Sequence, residues 1–270
     1  MESVLKSNLK ISFMYRIIFL VFLSNLVFGQ NRMFQSQNGN VNKEALANKN
    51  TVTNGLLLYL DAGNPASYSG TGTTWTDLSG NGNNATLMNG ASYSNANGGS
   101  IAFDGLDDYV TMPLVSSTVA NVTMQCWVNI TLGTKGAFIK NGNGLGYTVG
   151  IGGSSLENVG NNIIMLFAGV RWIPTTTSFV TPGWKLVTMI LNSSGTPSVY
   201  INSTLVSGNY TGVNSGIPVT GTYLGRNIGD ETPNMGKFTG NIAASLFYTR
   251  VLTIEEITNN YDAQKGRYGL

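Results

Sequence analysis

The chain has 270 residues, of which 42% are hydrophobic and only 10% are charged, and its formal net charge is +2. It contains no histidine and one cysteine, which excludes an intramolecular disulfide, Ser-His-Asp hydrolysis and ordinary histidine-based zinc sites. So small a net charge gives no sign of the strongly basic surface that binds DNA, RNA or anionic lipid, so we expect no nucleic-acid partner.

The first 29 residues contain the parts of a secretory signal peptide in the usual order. Three basic residues precede an apolar run over 17–28, and Gly29 separates this run from a polar stretch. Ser24-Asn25 interrupts the run, which is also shorter than the roughly 20 residues that a membrane span needs. We therefore expect a secreted or cell-surface protein that starts at Met1 or Met14, and the alternative is an uncleaved signal that tethers it to a membrane.

Removal of residues 1–29 leaves 12 basic and 12 acidic residues, so the mature chain is electrically balanced. Residues 30–53 are rich in polar side chains and lack apolar periodicity, which predicts a flexible leader. Over residues 54–270 short apolar segments alternate with Gly, Asn, Ser, Thr and Pro. This pattern is typical of a single all-β sandwich domain.

Twelve segments of this domain have the composition and length of β-strands. In chain order they are Leu56–Leu60, Ser100–Phe103, Tyr109–Met112, Val122–Ile130, Ala137–Lys140, Leu145–Ile151, Asn162–Ala168, Trp184–Leu191, Ser198–Ile201, Thr204–Ser207, Thr222–Leu224 and Ile242–Tyr248. Between the fifth and sixth segments, Asn141-Gly142-Asn143-Gly144 predicts a hairpin turn, because Asn-Gly tolerates positive φ.

The segment Val122–Ile130 alternates most clearly, with an apolar residue at every second position. Cys126 is one of these residues, so we expect it to be a buried small side chain on a strand. A catalytic thiol would need a base to form its thiolate, and the usual histidine is absent.

One helix is predicted near the C-terminus. Thr253 and Glu256 have the spacing of a capping box, in which each side chain bonds the other residue's backbone N–H. Ile254, Ile257 and Tyr261 follow with helical spacing.

Four motifs follow one another along the domain and resemble the laminin-G-like jelly rolls of the concanavalin A-like lectin/glucanase superfamily. The resemblance covers residues 54–270 and implies an antiparallel two-sheet jelly-roll sandwich with one short C-terminal helix. Departures from the family pattern are Ser203 in place of glycine and Ala243-Ala244 in place of an acid. The motifs are DLSGNGN at 77–83 after Asp61 and Trp75, FDGLDDYV at 103–110, WKLV at 184–187 with a later YIN, and the stretch 238–257.

The glucanases of this superfamily supply their two carboxylates from an E-x-D-x-x-E strand or a close variant, and this chain has no such motif. Glu255 and Glu256 are adjacent on the predicted helix and point apart. We therefore expect no catalytic residues and no enzymatic activity, and an atypical glycosidase is the alternative.

An acidic cluster is formed by Asp104, Asp107 and Asp108. Many folds of this type hold calcium at the sandwich rim, and calcium binds carboxylate and carbonyl oxygens. The resemblance therefore implies that these residues can hold a structural calcium ion, although no cofactor is required. The alternative is that Asp104 and Asp107 cap turn N–H groups, a role that we also expect for Asp77.

Carbohydrate recognition by such a sandwich needs aromatic faces and polar side chains on loops. The ligand-binding candidates are Trp172, Arg171, Tyr147, Asn143 and Arg226, with Tyr68, Trp75, Tyr93 and Tyr210 as further aromatic side chains. Trp172 is flanked by a charge at the end of a strand, where it can stack on a sugar; the alternative is packing on the sandwich edge.

These features together predict a secreted or surface-exposed, non-enzymatic module that binds carbohydrate or another surface ligand. A structural or adhesion subunit of a cell surface or virion, without a small ligand, is the alternative, and a signal peptide disfavours the virion form. A homo-oligomer or a larger surface assembly is compatible with either function.

Overall fold

A computed structural model describes residues 50–118, 120–131, 135–143, 146–152, 162–167, 170–174, 181–193, 197–206, 217–226 and 237–270. The predicted signal peptide and most of the predicted leader lie outside these ranges. At residues 143, 162, 166, 167 and 170–174 only the backbone is described. None of the helices in the described ranges has the length and apolar run needed to cross a membrane.

The described chain consists mainly of β-strands. The α-helix α1 spans Ile254–Gln264, and short 3-10 turns lie at Ala96–Gly98 and Lys265–Tyr268. The strands are β1 Leu56–Asp61, β2 Thr74–Trp75, β3 Ala85–Met88, β4 Ser92–Ser94, β5 Ser100–Asp104, β6 Tyr109–Met112, β7 Val122–Ile130, β8 Gly136–Asn143, β9 Tyr147–Gly152, β10 Asn162–Phe167, β11 Val170–Pro174, β12 Gly183–Leu191, β13 Pro197–Ile201, β14 Thr204–Val206, β15 Val219–Leu224 and β16 Thr239–Tyr248.

The strands form two antiparallel sheets. Sheet A has the order β14-β13-β12-β7-β16-β5-β4, and β1 also pairs with β16. Sheet B has the order β11-β10-β9-β8-β15-β6-β3-β2. The predicted antiparallel sandwich is confirmed, and each predicted segment overlaps an observed strand. The sequence did not predict β2, β3 and β4, because these strands are too short to show alternation.

The main core lies between the sheets and contains every second residue of β7, as the alternation predicted. Cys126 is fully buried, and its sulfur lies 3.5 Å from the Ser245 hydroxyl. Burial raises the pKa of this thiol to about 12, so the group stays protonated at neutral pH and is not a nucleophile.

Helix α1 covers part of the outer face of sheet A, and the predicted capping box at its start is confirmed. The Thr253 hydroxyl accepts from Glu256 N at 3.3 Å, and Glu256 Oε2 accepts from Thr253 N at 2.9 Å. Asn260 on the buried side of α1 donates to Gln125 Oε1 at 2.7 Å and to the Tyr248 hydroxyl at 2.9 Å. These bonds attach the helix to β7 and β16.

The same network holds the N-terminal end of the described chain. Val52 N donates to Asn260 Oδ1 at 2.8 Å, and Val52 O accepts from the Tyr248 hydroxyl at 3.0 Å. Val52 also packs against the apolar cluster under α1. The domain therefore includes residues that we assigned to the flexible leader, because local composition does not show a backbone bonded to distant side chains.

The DLSGNGN turn lies along the free edge of β1, and Asp77 is a turn former as predicted. Asp77 Oδ1 accepts from Tyr59 N at 2.9 Å, and Leu78 N donates to Tyr59 O at 2.8 Å. Asn83 Nδ2 donates to Leu57 O at 2.8 Å. The turn thus bonds the exposed strand edge as a neighbouring strand would, and this protects the edge from other chains.

The predicted turn between β8 and β9 is wrong in its position. Residues 141–143 continue β8, and Val219 of β15 pairs with Asn143. Asn141 is fully buried, and its side-chain amide bonds Ser116 O at 2.7 Å. Pairing with β15 on the other side of β8 therefore overrides the local turn preference of Asn-Gly, and the chain reverses before Tyr147.

Candidate functional site

Several connections between the two sheets meet at one end of the sandwich, which we call the crossover rim. Asp104 at the end of β5 pairs with Thr239 at the start of β16, and Thr239 N donates to Lys135 O at 3.3 Å. Asn89 Nδ2 donates to Asp107 O at 3.2 Å. The rim therefore brings together the turns that follow β3 and β5 and the chain that leads into β8 and β16.

The acidic cluster predicted to hold calcium lies on this rim, in the turn between β5 and β6. The carboxylate oxygens of Asp104, Asp107 and Asp108 lie within 4.8 Å of one another. Asp104 Oδ1 accepts from Leu106 N at 2.7 Å, and Asp108 Oδ2 accepts from Asp104 N at 2.9 Å. Asp104 thus caps the turn as the alternative interpretation expected, but the second acceptor is Asp108 rather than the predicted Asp107.

The electrostatics of this turn make the charged form of Asp108 less favourable than that of a free carboxylate. Burial of Asp108 raises the pKa of its carboxyl, and the negative charges of Asp104 and Asp107 add to the shift, while the bond from Asp104 N opposes it. The three carboxylates have the oxygen ligands that calcium prefers. Calcium binding stays a prediction, since the hydrogen bonds of the turn already explain the positions of two carboxylates.

The residues predicted to bind a ligand belong to sheet B but do not form one site. Asn143 and Tyr147 lie at the end of the sandwich opposite the crossover rim, because Asn143 pairs with the first residue of β15. Arg226 follows the last residue of β15 and bridges to Lys237 at the rim. Arg171 and Trp172 lie in the edge strand β11, where side chains are outside the described part.

Burial contradicts three of the predicted aromatic ligand residues. Tyr147 is 1% exposed and its hydroxyl donates to Thr118 O at 3.1 Å, so its ring lies in the core rather than on a rim. Trp75 and Tyr68 are also buried. Tyr93 is half-buried and packs on Tyr68 with 5.4 Å between ring centroids. Tyr210 lies outside the described residues.

The outward side of sheet B carries a different set of polar side chains, which we call the open face. It consists of Thr74, Thr86, Tyr109, Thr111 and Tyr223. The register aligns Thr74, Thr86, Thr111 and Tyr223 as cross-strand neighbours on β2, β3, β6 and β15. The first two are exposed and the others are half-buried.

Tyr223 has the geometry of a stacking platform on this face. A Cβ atom at Gly221 would lie 3.1 Å from the Tyr223 hydroxyl and 3.2 Å from its Cζ. The ring therefore extends back along β15 over Gly221. Because glycine has no side chain there, the half-buried ring can lie over the backbone of β15.

The hydroxyls of the open face are free to bind a ligand. Those of Thr74, Thr86, Thr111 and Tyr223 make no hydrogen bond to another described residue. Each can donate and accept a hydrogen bond. Next to them the Arg226 guanidinium lies over the Tyr109 ring, 5.2 Å from its centroid. Among the predicted ligand residues with described side chains, Arg226 is therefore the one that borders this face.

The sequence contains a partial signal for the open face. In β6 the apolar residues Val110 and Met112 alternate with Tyr109 and Thr111. Alternation shows that such residues share a face but does not show which strands are neighbours. The pairing of β15 with β6, more than 100 residues apart in sequence, had to come from the structure.

Of the described acidic side chains outside the acidic turn, none lies on the strands of this face. The strands β2, β3, β6 and β15 contain no Asp or Glu. Apart from Glu255, which is exposed, the described acidic side chains outside the acidic turn are held in structural contacts. These are Asp61 with Arg267 at 2.6 Å, Asp77 with the edge of β1, Glu256 with Arg250 at 2.7 Å and Asp262 with Lys265 at 2.7 Å.

Comparison with known families gives one match that covers more than half of the chain. A family model described as the concanavalin A-like lectin/glucanases superfamily matches residues 103–258. No curated protein matches the sequence.

Solved structures share the fold at low sequence identity. A Trypanosoma rangeli sialidase in complex with sialic acid is 17% identical with a TM-score of 0.57, and the match covers 79% of this chain and 33% of that chain. The receptor binding domain of botulinum neurotoxin C/D mosaic serotype is 15% identical with a TM-score of 0.59, covering 79% and 52%. The binding domain of Paraclostridial Mosquitocidal Protein 1 is 12% identical with a TM-score of 0.58, covering 77% and 52%. The chain thus spans about a third to a half of these structures.

Proposed function

Because this chain belongs to the concanavalin A-like lectin/glucanases superfamily, we propose that it is a non-enzymatic module that binds carbohydrate. The single observation that carries this proposal is the open face of sheet B, where unbonded hydroxyls lie beside the Tyr223 ring. Sugars present hydroxyl groups around apolar ring faces, so hydroxyl side chains next to an aromatic ring match their chemistry.

The setting of the open face supports recognition rather than catalysis. Its residues lie on β-strands over a buried core, so they are held in place before a ligand arrives. Glycoside hydrolysis generally needs two carboxyl groups on either side of the scissile bond. The strands of this face contribute none.

The comparisons are compatible with a binding function but do not identify the ligand. One similar structure is a sialidase in complex with sialic acid, and two are binding domains of toxins. Their identities to this chain are 17% or lower, so only the fold is shared. We propose carbohydrate from the residues of the open face, and secretion from the signal-peptide pattern of residues 1–29.

A glycan array tests this proposal. The purified chain of residues 30–270 is applied with calcium and then with EGTA. We expect saturable binding to a related set of glycans in the calcium buffer. Loss of this binding in EGTA would show that glycan binding requires calcium. No binding in either buffer, together with concentration-dependent self-association, would replace this proposal with a structural surface subunit.

A further inference from the structure

The hydroxyl groups of the open face form a row that runs across the strands rather than along them. Thr86 pairs with Thr74 on one side and with Thr111 on the other. Thr111 in turn pairs with Tyr223, so each of β2, β3, β6 and β15 contributes one hydroxyl. Neighbouring strands lie about 4.8 Å apart, so the hydroxyls repeat at about that spacing over a row of about 14 Å.

A second row on the same side of the sheet has a different chemistry. Met88 pairs with Tyr109, and both residues are half-buried. Alternation places Met88 on the same side of β3 as Thr86, and Tyr109 on the same side of β6 as Thr111. The two rows are about 7 Å apart, since two residues along a strand separate them. A line of hydroxyls thus runs beside a line of thioether and aromatic surface.

The strands that carry both rows are uncharged. The sequences of β2, β3, β6 and β15 contain no Asp, Glu, Lys or Arg. Hydroxyl side chains donate and accept hydrogen bonds without a charge of their own. The chemistry of the rows therefore suits a neutral ligand with hydroxyls at its edges and apolar ring faces.

We propose that the open face binds a neutral, extended polysaccharide that crosses the strands, with one sugar over each of the four strands. This inference rests on the proposed function. A chain of β-1,4-linked pyranoses advances per sugar by nearly the distance between neighbouring strands, so successive sugars meet successive hydroxyls of the row. An α-1,4-linked chain coils instead, and it leaves the row after a short contact.

The length of the ligand tests this arrangement. β-1,4-linked oligosaccharides of glucose, mannose, xylose and N-acetylglucosamine, each with two to six sugars, are titrated into the 30–270 chain by calorimetry. In the series that binds best, we expect the affinity to rise with each sugar up to about four and then to level off. The α-1,4-linked oligosaccharides of glucose should bind more weakly at every length.

A substitution at the end of the row tests its register. Thr74 lies on the fourth strand from Tyr223, so a trisaccharide anchored at Tyr223 does not reach it but a tetrasaccharide does. Thr74→Val removes the hydroxyl and keeps the shape and the strand preference of the side chain. We expect it to weaken tetrasaccharide binding by about threefold or more, as loss of one hydrogen bond does, and to leave trisaccharide binding nearly unchanged. Thr204→Val, at an exposed position of β14 in sheet A, is the matched control.

The possible outcomes separate this inference from the function on which it rests. Equal affinity for two and six sugars, tighter binding of the α-1,4-linked series, or an unchanged tetrasaccharide affinity of Thr74→Val would overturn the strand-crossing site while leaving carbohydrate binding in place. Binding of an array glycan by a protein that binds none of the β-1,4-linked series would do the same. Absence of binding to any glycan would contradict carbohydrate binding itself, and the strand-crossing site with it.

Discussion

At the residue scale, Arg250 and Glu256 form a bidentate ion pair at the start of α1. Both nitrogen–oxygen distances are 2.7 Å. The hydrogen bonds from Arg250 are the largest cause of the lowered pKa of Glu256, and the capping bond from Thr253 adds to it. The folded protein therefore holds the charged carboxylate more strongly than the unfolded chain does.

This pair makes stability depend on pH in a defined direction. The folded pKa of Glu256 is below its ordinary value of 4.5. The charged carboxylate therefore adds to the free energy of unfolding above pH 4.5, and this stabilisation is lost as the pH falls through the folded pKa. Glu256→Gln keeps the cap but removes the charge, so we expect it to lower Tm by about 2–4 °C at neutral pH. Thermal unfolding should show this difference shrinking below about pH 4.5. Glu255→Gln, the exposed neighbour, is the control, and an equal effect of both substitutions would contradict the assignment.

The acidic turn also gives a residue-scale prediction. A calcium ion bound between Asp104, Asp107 and Asp108 supplies positive charge, which offsets the desolvation and the repulsion that raise the pKa of Asp108. Millimolar calcium should then raise Tm, by an amount that grows with the ratio of its concentration to Kd. Asp107→Asn, at an exposed position, should remove the shift and leave the calcium-free Tm nearly unchanged. A Tm that is the same in calcium and in EGTA would refute the calcium prediction.

At the scale of elements, the segment before β1 acts as part of the domain. Deletion of residues 50–53 removes the backbone partners of Asn260 and Tyr248 and the packing of Val52. We expect the 54–270 chain to be about 2–3 kcal/mol less stable than the 50–270 chain, because two part-buried hydrogen bonds are lost while Asn260 and Tyr248 stay buried. Urea unfolding measures this difference. Equal urea midpoints for the two chains would mean that the domain begins at residue 54, as the sequence predicted.

The turn that covers β1 gives a second prediction at this scale. Asp77 accepts bonds from Tyr59 N, Ser79 N and Asn83 N. Asp77→Ala leaves these donors without a partner, so we expect a loss of about 2–4 kcal/mol and an exposed strand edge that promotes self-association. Denaturant unfolding and size-exclusion chromatography test both effects. Asp77→Asn keeps one acceptor oxygen and should lower the free energy of unfolding by less. An Asp77→Ala protein that stays monomeric and as stable as the native protein would contradict this role of Asp77.

At the scale of the whole molecule, the sequence predicted the sandwich and the C-terminal helix but not the assembled site. Alternation in β7 and the capping box at Thr253 are local patterns, and both were confirmed. The open face depends on pairing between distant strands, such as Thr111 with Tyr223. Tyr147 was wrongly expected at a rim because its burial depends on the opposite sheet, where Phe247 packs on its ring.

The central claim is that the open face of sheet B binds carbohydrate, and Tyr223 tests it most directly. The measurement is the Kd, by titration calorimetry, of the strongest array ligand for the native protein, Tyr223→Ala and Tyr200→Ala. Tyr200 is a half-buried strand tyrosine of sheet A and is the matched control. We expect Tyr223→Ala to weaken binding by about tenfold or more, as loss of an aromatic anchor does, and Tyr200→Ala to leave it nearly unchanged. Unchanged affinity of a folded Tyr223→Ala protein would contradict the account and place the carbohydrate site elsewhere.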